Sequence, residues 1–207
     1  MGAVYTIAYN LSKAISAGFF SFRAVHKERI IEDGPALLAM NHQSYLDPPL
    51  AGICCRREIS YLGRKTLMKW PILGPLFPKL KVIPVDQERA DMSALKAVIK
   101  LVRAGGCTVI FPEGSRTHDG ELQPAQPGLG LIIAKTLAPV VPMRIFGAHK
   151  AFPRGGRPHL FQPITIVIGE PMRFTEADLE GASGRELYQK LSERVMERIA
   201  AIQFERP

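Results

Sequence analysis

The sequence predicts an α/β fold: a single domain with a largely parallel central sheet flanked by helices, preceded by an amphipathic N-terminal helix. Three observations carry that expectation. Short apolar runs recur along the chain with helix-patterned stretches between them, and turn residues punctuate both. The length of 207 residues is ample for one domain with a substantial core and short for two. No Pro-, Gly- or Ser-rich linker interrupts the chain, so a domain over 25–207 is expected to follow a helix over 1–24.

The first element, "AVYTIAYNLSKAISAGFFSF", carries one charge, Lys13, but Thr6, Asn10, Ser12, Ser16 and Ser21 interrupt it too often for a membrane span. Val4, Ile7, Leu11, Ile15, Phe19 and Phe22 follow helical spacing instead, the pattern of an amphipathic helix that either docks on its own domain or lies in a bilayer interface. A secretory signal is not expected, because the start lacks a basic segment and no small-x-small cleavage site follows. Strands are expected at 35–40 (PALLAM), 58–63 (EISYLG), 81–85 (KVIPV), 107–111 (CTVIF), 139–146 (PVVPMRIF) and 164–169 (ITIVIG). Helices are expected between them, at about 48–56, 91–104, 127–137 and 184–203. The last is apolar at Leu187, Leu191, Val195 and Ile199 and polar elsewhere, so one face should pack on the sheet.

Three cysteines, Cys54, Cys55 and Cys107, form neither a disulfide framework nor a metal spacing, and imply a reducing, cytoplasmic setting. Histidines at 26, 42, 118, 149 and 159 show no zinc-ligand spacing, so no metal is expected. The net charge of +8 is unevenly placed. Between Arg56 and Lys81 seven basic residues (Arg56, Arg57, Arg64, Lys65, Lys69, Lys79, Lys81) face one acid, Glu58, a net +6. Such a segment suits phosphates of lipid, cofactor or nucleic acid, or is simply a solvated basic face. Nucleic acid is the weakest of these, because the chain has neither a Cys₂His₂ spacing nor an aromatic RNA-binding strand.

In open α/β sheets, sites gather where strands end. Three polar clusters stand there: "NHQSYLD" after the first expected strand, "GRK" after the second and "FPEGSRT" after the fourth. Among the histidines, His42 alone has an acid five residues on, Asp47. Pro48 makes Asp47 a natural helix N-cap with proline at the first helical position. The same fixed carboxylate would select one imidazole tautomer and leave the other ring nitrogen free as a base. Ser44 lacks the setting of a nucleophile, so His42 would act on a hydroxyl of the substrate. In "FPEGSRT", Gly114 permits unusual backbone, and the amides of Gly114 and Ser115 with the Arg116 guanidinium could cradle a phosphate; read alone, the segment is equally an ordinary Glu-Gly turn.

Together, "NHQSYLD", "GRKTLMKWPILG", "FPEGSRT" and "VVPMRI" stand in the order and spacing of the four sequence blocks of the 1-acyl-glycerol-3-phosphate acyltransferases, and over residues 35–170 the chain resembles that glycerolipid family. The resemblance implies His42 as general base and Asp47 as its orienting carboxylate. It implies that Glu113, Gly114, Ser115 and Arg116 bind the acceptor phosphate and shape the site. It further implies a basic residue near that phosphate at Lys65, beside Arg64, and acyl-chain placement at Pro142. Thr66 stands where the family commonly has Glu, and Gln87 where it commonly has Arg, with Arg89 nearby as a substitute.

The expected reaction is transfer of a fatty acyl group from acyl-CoA or acyl-carrier protein, a co-substrate, to 1-acyl-glycerol-3-phosphate, giving phosphatidic acid without any cofactor. The expected place is the cytoplasmic face of the membrane, on an anionic surface. Other acceptors (glycerol 3-phosphate, dihydroxyacetone phosphate, another lysophospholipid or a lyso-aminolipid) are compatible with the same motifs. A non-catalytic lipid-binding module would leave the four ordered motifs unexplained.

Overall fold

The computed structural model describes residues 1–71, 73–86 and 92–204. Gln87 and Arg89, and with them the family's usual arginine position, lie outside the described residues. Helix α1 (Ala3–Phe20) leads into strand β1 (Arg23–Val25), then β2 (Ala36–Met40), α2 (Asp47–Cys54), β3 (Ser60–Arg64) and β4 (Val82–Val85). The chain continues through α3 (Met92–Arg103), β5 (Cys107–Ile110), α4 (Gly128–Thr136), β6 (Val140–Phe146), α5 (Ala148–Ala151), β7 (Thr165–Ile168) and α6 (Gly184–Ala201).

The strands form one sheet in the order β1-β7-β6-β2-β5-β3-β4. Every neighbouring pair is parallel except β6 and β7, which run antiparallel. The largely parallel sheet is therefore as the sequence predicts. Strand β1 was not expected: at three residues, with one exposed and two half-buried, it is too short to leave a period-2 signature. The boundary expected at residue 24 falls inside it.

The parallel strands are continuous apolar runs because helices cover both faces. All five residues of β2 are buried, and they alternate between two cores. Leu38 and Met40 join Leu50 and Ile53 of α2 and Phe20 of α1 on one face. Leu37 and Ala39 join Val98 and Val102 of α3, Ile132 and Ile133 of α4, and Leu191 and Val195 of α6 on the other. The face predicted for the last helix, Leu187, Leu191, Val195 and Ile199, is buried as expected.

Helix α1 departs from its sequence pattern. The row that packs inward is Tyr5, Ser16 and Phe20, while the row the sequence marks as apolar points to solvent: Ile7 is 67%, Leu11 58%, Ile15 40% and Phe19 43% exposed. Tyr5 is anchored because its hydroxyl accepts the Ile59 amide at 3.1 Å and lies 3.3 Å from the Tyr61 hydroxyl. Among the described residues no helix is long and apolar enough to cross a membrane.

Candidate active site

Strands β2 and β5 are neighbours, so the loops leaving their C-terminal ends lie side by side, and these loops carry "NHQSYLD" and "FPEGSRT". Two backbone-level links join them. The Thr117 amide donates to the His42 carbonyl at 2.8 Å, and the His42 amide donates to Oε2 of Glu113 at 3.3 Å. Two of the three polar clusters expected at strand ends thus meet here.

Nearly every polar group of the first loop is committed. The Asn41 side chain pairs with Ile145 as a strand residue would, its Oδ1 accepting the amide at 2.8 Å and its Nδ2 donating to the carbonyl at 3.2 Å. Gln43 donates to the Gly120 carbonyl at 2.9 Å. Ser44 is fully buried and donates to the Phe152 carbonyl at 2.9 Å, a structural hydroxyl with no access to substrate.

Asp47 is fully buried at the first residue of α2, and it is not the helix cap its sequence suggested. Pro48 and Pro49 have no N–H groups to offer a capping carboxylate, so the side chain turns back on its own loop. Oδ2 accepts the amides of Gln43 at 2.5 Å and Ser44 at 2.7 Å, and stands 2.8 Å from Nδ1 of His42. That contact assigns the Nδ1 proton to the carboxylate side and leaves Nε2 to the cleft. The imidazole is fixed in its second dimension by Phe111, whose ring stacks on it at 3.8 Å and 15°.

The second loop turns at Gly114, whose φ of +74° suits glycine. Arg116 lies flat over Tyr45 with its guanidinium carbon 3.5 Å from the ring centroid, and its Nη1 has no hydrogen-bond partner among the described residues. Tyr45 thus serves as a platform that spacing alone could not reveal. Glu113 is 5% exposed, and burial pushes its carboxyl up to about 7, against the lowering effect of the His42 and Gln123 amides. Because the folded-state value lies above the ordinary one, Glu113 costs stability as pH rises from about 4.5 toward 7, where the unfolded chain ionises first. Glu113→Gln should therefore flatten the fall in melting temperature across that window; parallel pH profiles for both proteins would refute the assignment.

His42, Ser115 and Arg116 line a cleft of about 570 Å³. Its walls are apolar and come from three places: Tyr5 and Tyr9 of α1, Pro49 and Ile53 of α2, and Leu67 and Trp70 beyond β3. Arg64 lines it; Lys65, the neighbouring position implied by the resemblance, is exposed and is not among the lining residues. Pro142 also lies apart, buried in β6 with its carbonyl accepting the Gly169 amide at 2.8 Å. The contribution of α1 to the cleft was not legible in the sequence, because its inward row contains Tyr, Ala and Ser, which read as the polar side of an amphipathic pattern. The three cysteines are buried; burial raises the Cys54 and Cys107 thiols to about 12 and Cys55 further, so none is poised as a nucleophile.

An imidazole beside a buried carboxylate, a guanidinium nitrogen with no partner among the described residues and a mostly apolar cleft that both line are groups that could serve general-base chemistry on a ligand with an anionic and an apolar part. The chain belongs to the acyltransferase family, whose model matches residues 22–146. It is 31% identical over 150 residues to 1-acyl-sn-glycerol-3-phosphate acyltransferase BAT2, chloroplastic, of Brassica napus, covering 71% of this chain and 43% of that one. The chain thus spans less than half the length of that plant relative. It is 28% identical over 203 residues to 1-acyl-sn-glycerol-3-phosphate acyltransferase of Bacillus subtilis, covering 97% of both. Its fold matches the crystal structure of the 1-acyl-sn-glycerophosphate (LPA) acyltransferase, PlsC, from Thermotoga maritima, with a TM-score of 0.75 and 24% identity over 97% of this chain and 81% of that one.

Proposed function

We propose that this protein transfers a fatty acyl group from the thioester of acyl-CoA or acyl-carrier protein to the free hydroxyl of 1-acyl-glycerol-3-phosphate. The observation that carries the reading is that His42, held by Asp47 at 2.8 Å, and Arg116 line one mostly apolar cleft of about 570 Å³. Nε2 of His42 takes the hydroxyl proton as that oxygen attacks the thioester carbon. The C–O bond forms, the C–S bond breaks, and the proton passes to the departing sulfur. The transfer is direct, without a metal or a covalent intermediate. Arg116, with Arg64 nearby, holds the acceptor phosphate by charge-assisted hydrogen bonds, and the cleft holds a hydrocarbon chain. The resemblance to the 1-acyl-sn-glycerol-3-phosphate acyltransferases of Brassica napus and Bacillus subtilis is consistent with this acceptor.

The outward apolar row of α1 and the charge of +8 further support action at an anionic membrane surface, where the acceptor resides on the cytoplasmic leaflet. Deletion of residues 1–24 is one test of this. Such a deletion would also remove a wall of the cleft and two core residues, Tyr5 and Phe20, so Leu11→Ser on the outward row is the cleaner variant.

The defining experiment is an acyl-transfer assay of purified protein with labelled acyl-CoA and acyl-carrier protein against a panel of acceptors. Phosphatidic acid formed from 1-acyl-glycerol-3-phosphate is the expected product; exclusive use of an acceptor without a phosphate would defeat the reading. Arg116→Ala should raise KM for the phosphorylated acceptor by at least about tenfold, the worth of one charge-assisted contact. An unchanged KM would remove Arg116 from phosphate binding.

A further inference from the structure

The loop over 152–163, "FPRGGRPHLFQP", meets the site at its first residues, where Phe152 packs on Tyr45 and Arg154 donates to the Arg116 carbonyl, while its far end presents two exposed large apolar side chains, Leu160 at 49% and Phe161 at 70%. We propose that this loop is a second lipid-contacting element, seating Leu160 and Phe161 in the interface of an anionic phospholipid bilayer beside the outward row of α1.

The loop is held in place, and the hold is what displays the ring. The His159 amide donates to the Ala151 carbonyl at 2.7 Å, and the Ile164 amide to the Phe20 carbonyl at 3.0 Å. Between them the Phe161 amide donates to the Phe19 carbonyl at 2.6 Å, which ties the loop to the end of α1. Phe161 has a φ of +63°, a left-handed backbone that is unfavourable for a residue with a β-carbon and belongs more naturally to glycine or asparagine. A bulky aromatic kept in that conformation and turned to solvent points to a use outside the fold itself.

Continuity with α1 identifies that use. Ile7, Leu11, Ile15 and Phe19 recur at four-residue spacing along one side of the helix, and the Phe19 and Phe161 rings lie 6.3 Å apart. The two elements together hold six of the eleven exposed large hydrophobic residues found among the described residues. Charge favours an anionic surface: neither 1–27 nor 152–169 contains an Asp or Glu, while Lys13, Arg23, Lys27, Arg154 and Arg157 are basic, and the apolar row beside them suits the acyl region of a bilayer. An aromatic wedge flanked by arginines suits the boundary between acyl chains and anionic headgroups.

The inference rests on the membrane-interface reading of α1 given above, and the test separates the two. Full-length protein, Phe161→Gly, Phe161→Asn and Leu11→Ser are cosedimented with vesicles of phosphatidylcholine with and without phosphatidylglycerol, and their melting temperatures are measured. Both Phe161 variants should bind the anionic vesicles roughly tenfold more weakly, as expected when a side chain of this size no longer enters the interface. Both should melt at or above the wild type, because glycine and asparagine accept the left-handed backbone. Weakened binding for Leu11→Ser with none for the Phe161 variants would overturn the wedge and leave α1 as the sole contact. Unchanged binding in all three would overturn both readings. A melting temperature well below wild type in both Phe161 variants, or loss of a dimer in place of vesicle affinity, would assign Phe161 to packing within or between copies of the chain and overturn the proposal.

Discussion

His42→Ala should lower kcat for acyl transfer by about 10²–10⁴-fold, the usual worth of a positioned general base, with little change in melting temperature. The side chain is held by one contact to Asp47 and one stacked ring, Phe111, and makes no other side-chain hydrogen bond among the described residues. Asp47→Asn is the more revealing partner. The amide can still accept a loop amide through its oxygen, but it no longer fixes the Nδ1 proton or stabilises the imidazolium, so a loss of similar order should follow without unfolding. Asp47→Ala should also destabilise, because the buried Gln43 and Ser44 amides would lose their acceptor at about 1–3 kcal/mol each. Near-normal transfer by His42→Ala in purified protein would end the general-base assignment.

The second large effect is on stability. Gly130→Ala should lower the melting temperature by roughly 6–12 °C, corresponding to about 3 kcal/mol for a chain of this size. A β-carbon at Gly130 would collide with the backbone carbonyl of Tyr188, and backbone cannot move aside as a side-chain tip can. The Gly130 amide also donates to the fully buried Ser192 hydroxyl at 2.8 Å, so α4 and α6 meet at one close crossing. That crossing covers the face of the sheet opposite α1 and α2, so at low temperature the surviving folded fraction should retain its acceptor KM. A variant melting with the wild type would mean that the two helices separate at little cost.

Much of the fold could be read from the sequence because parallel strands covered on both faces are continuous apolar runs, and α6 shows its buried row at i, i+4, i+8 and i+12. The misses share a cause. Strand β1 is three residues long, and Asp47 reads as a cap because capping is a local rule, whereas the two prolines after it offer no N–H and the Leu50 amide donates to the Leu46 carbonyl. In the site, His42, Asp47 and Arg116 were legible as residue types at a spacing. Phe111 and Tyr45 were not, because a ring under an imidazole or a guanidinium leaves no periodic trace. Lys65 and Pro142 are expected only from their position in a motif, and the structure exposes Lys65 and buries Pro142 in β6.

By itself, then, the sequence determined the layered α/β architecture and the His42–Asp47 pair, because apolar runs, helical spacing and a five-residue separation are all written in neighbours close in the chain. Tertiary structure decided which side of α1 faces the protein. Tyr5 finds the Ile59 amide and the Tyr61 hydroxyl more than fifty residues away, so the more polar row goes inward to wall the cleft and the apolar row is left outside. An amphipathic pattern fixes that a helix has two faces; which of them packs depends on the surface it meets.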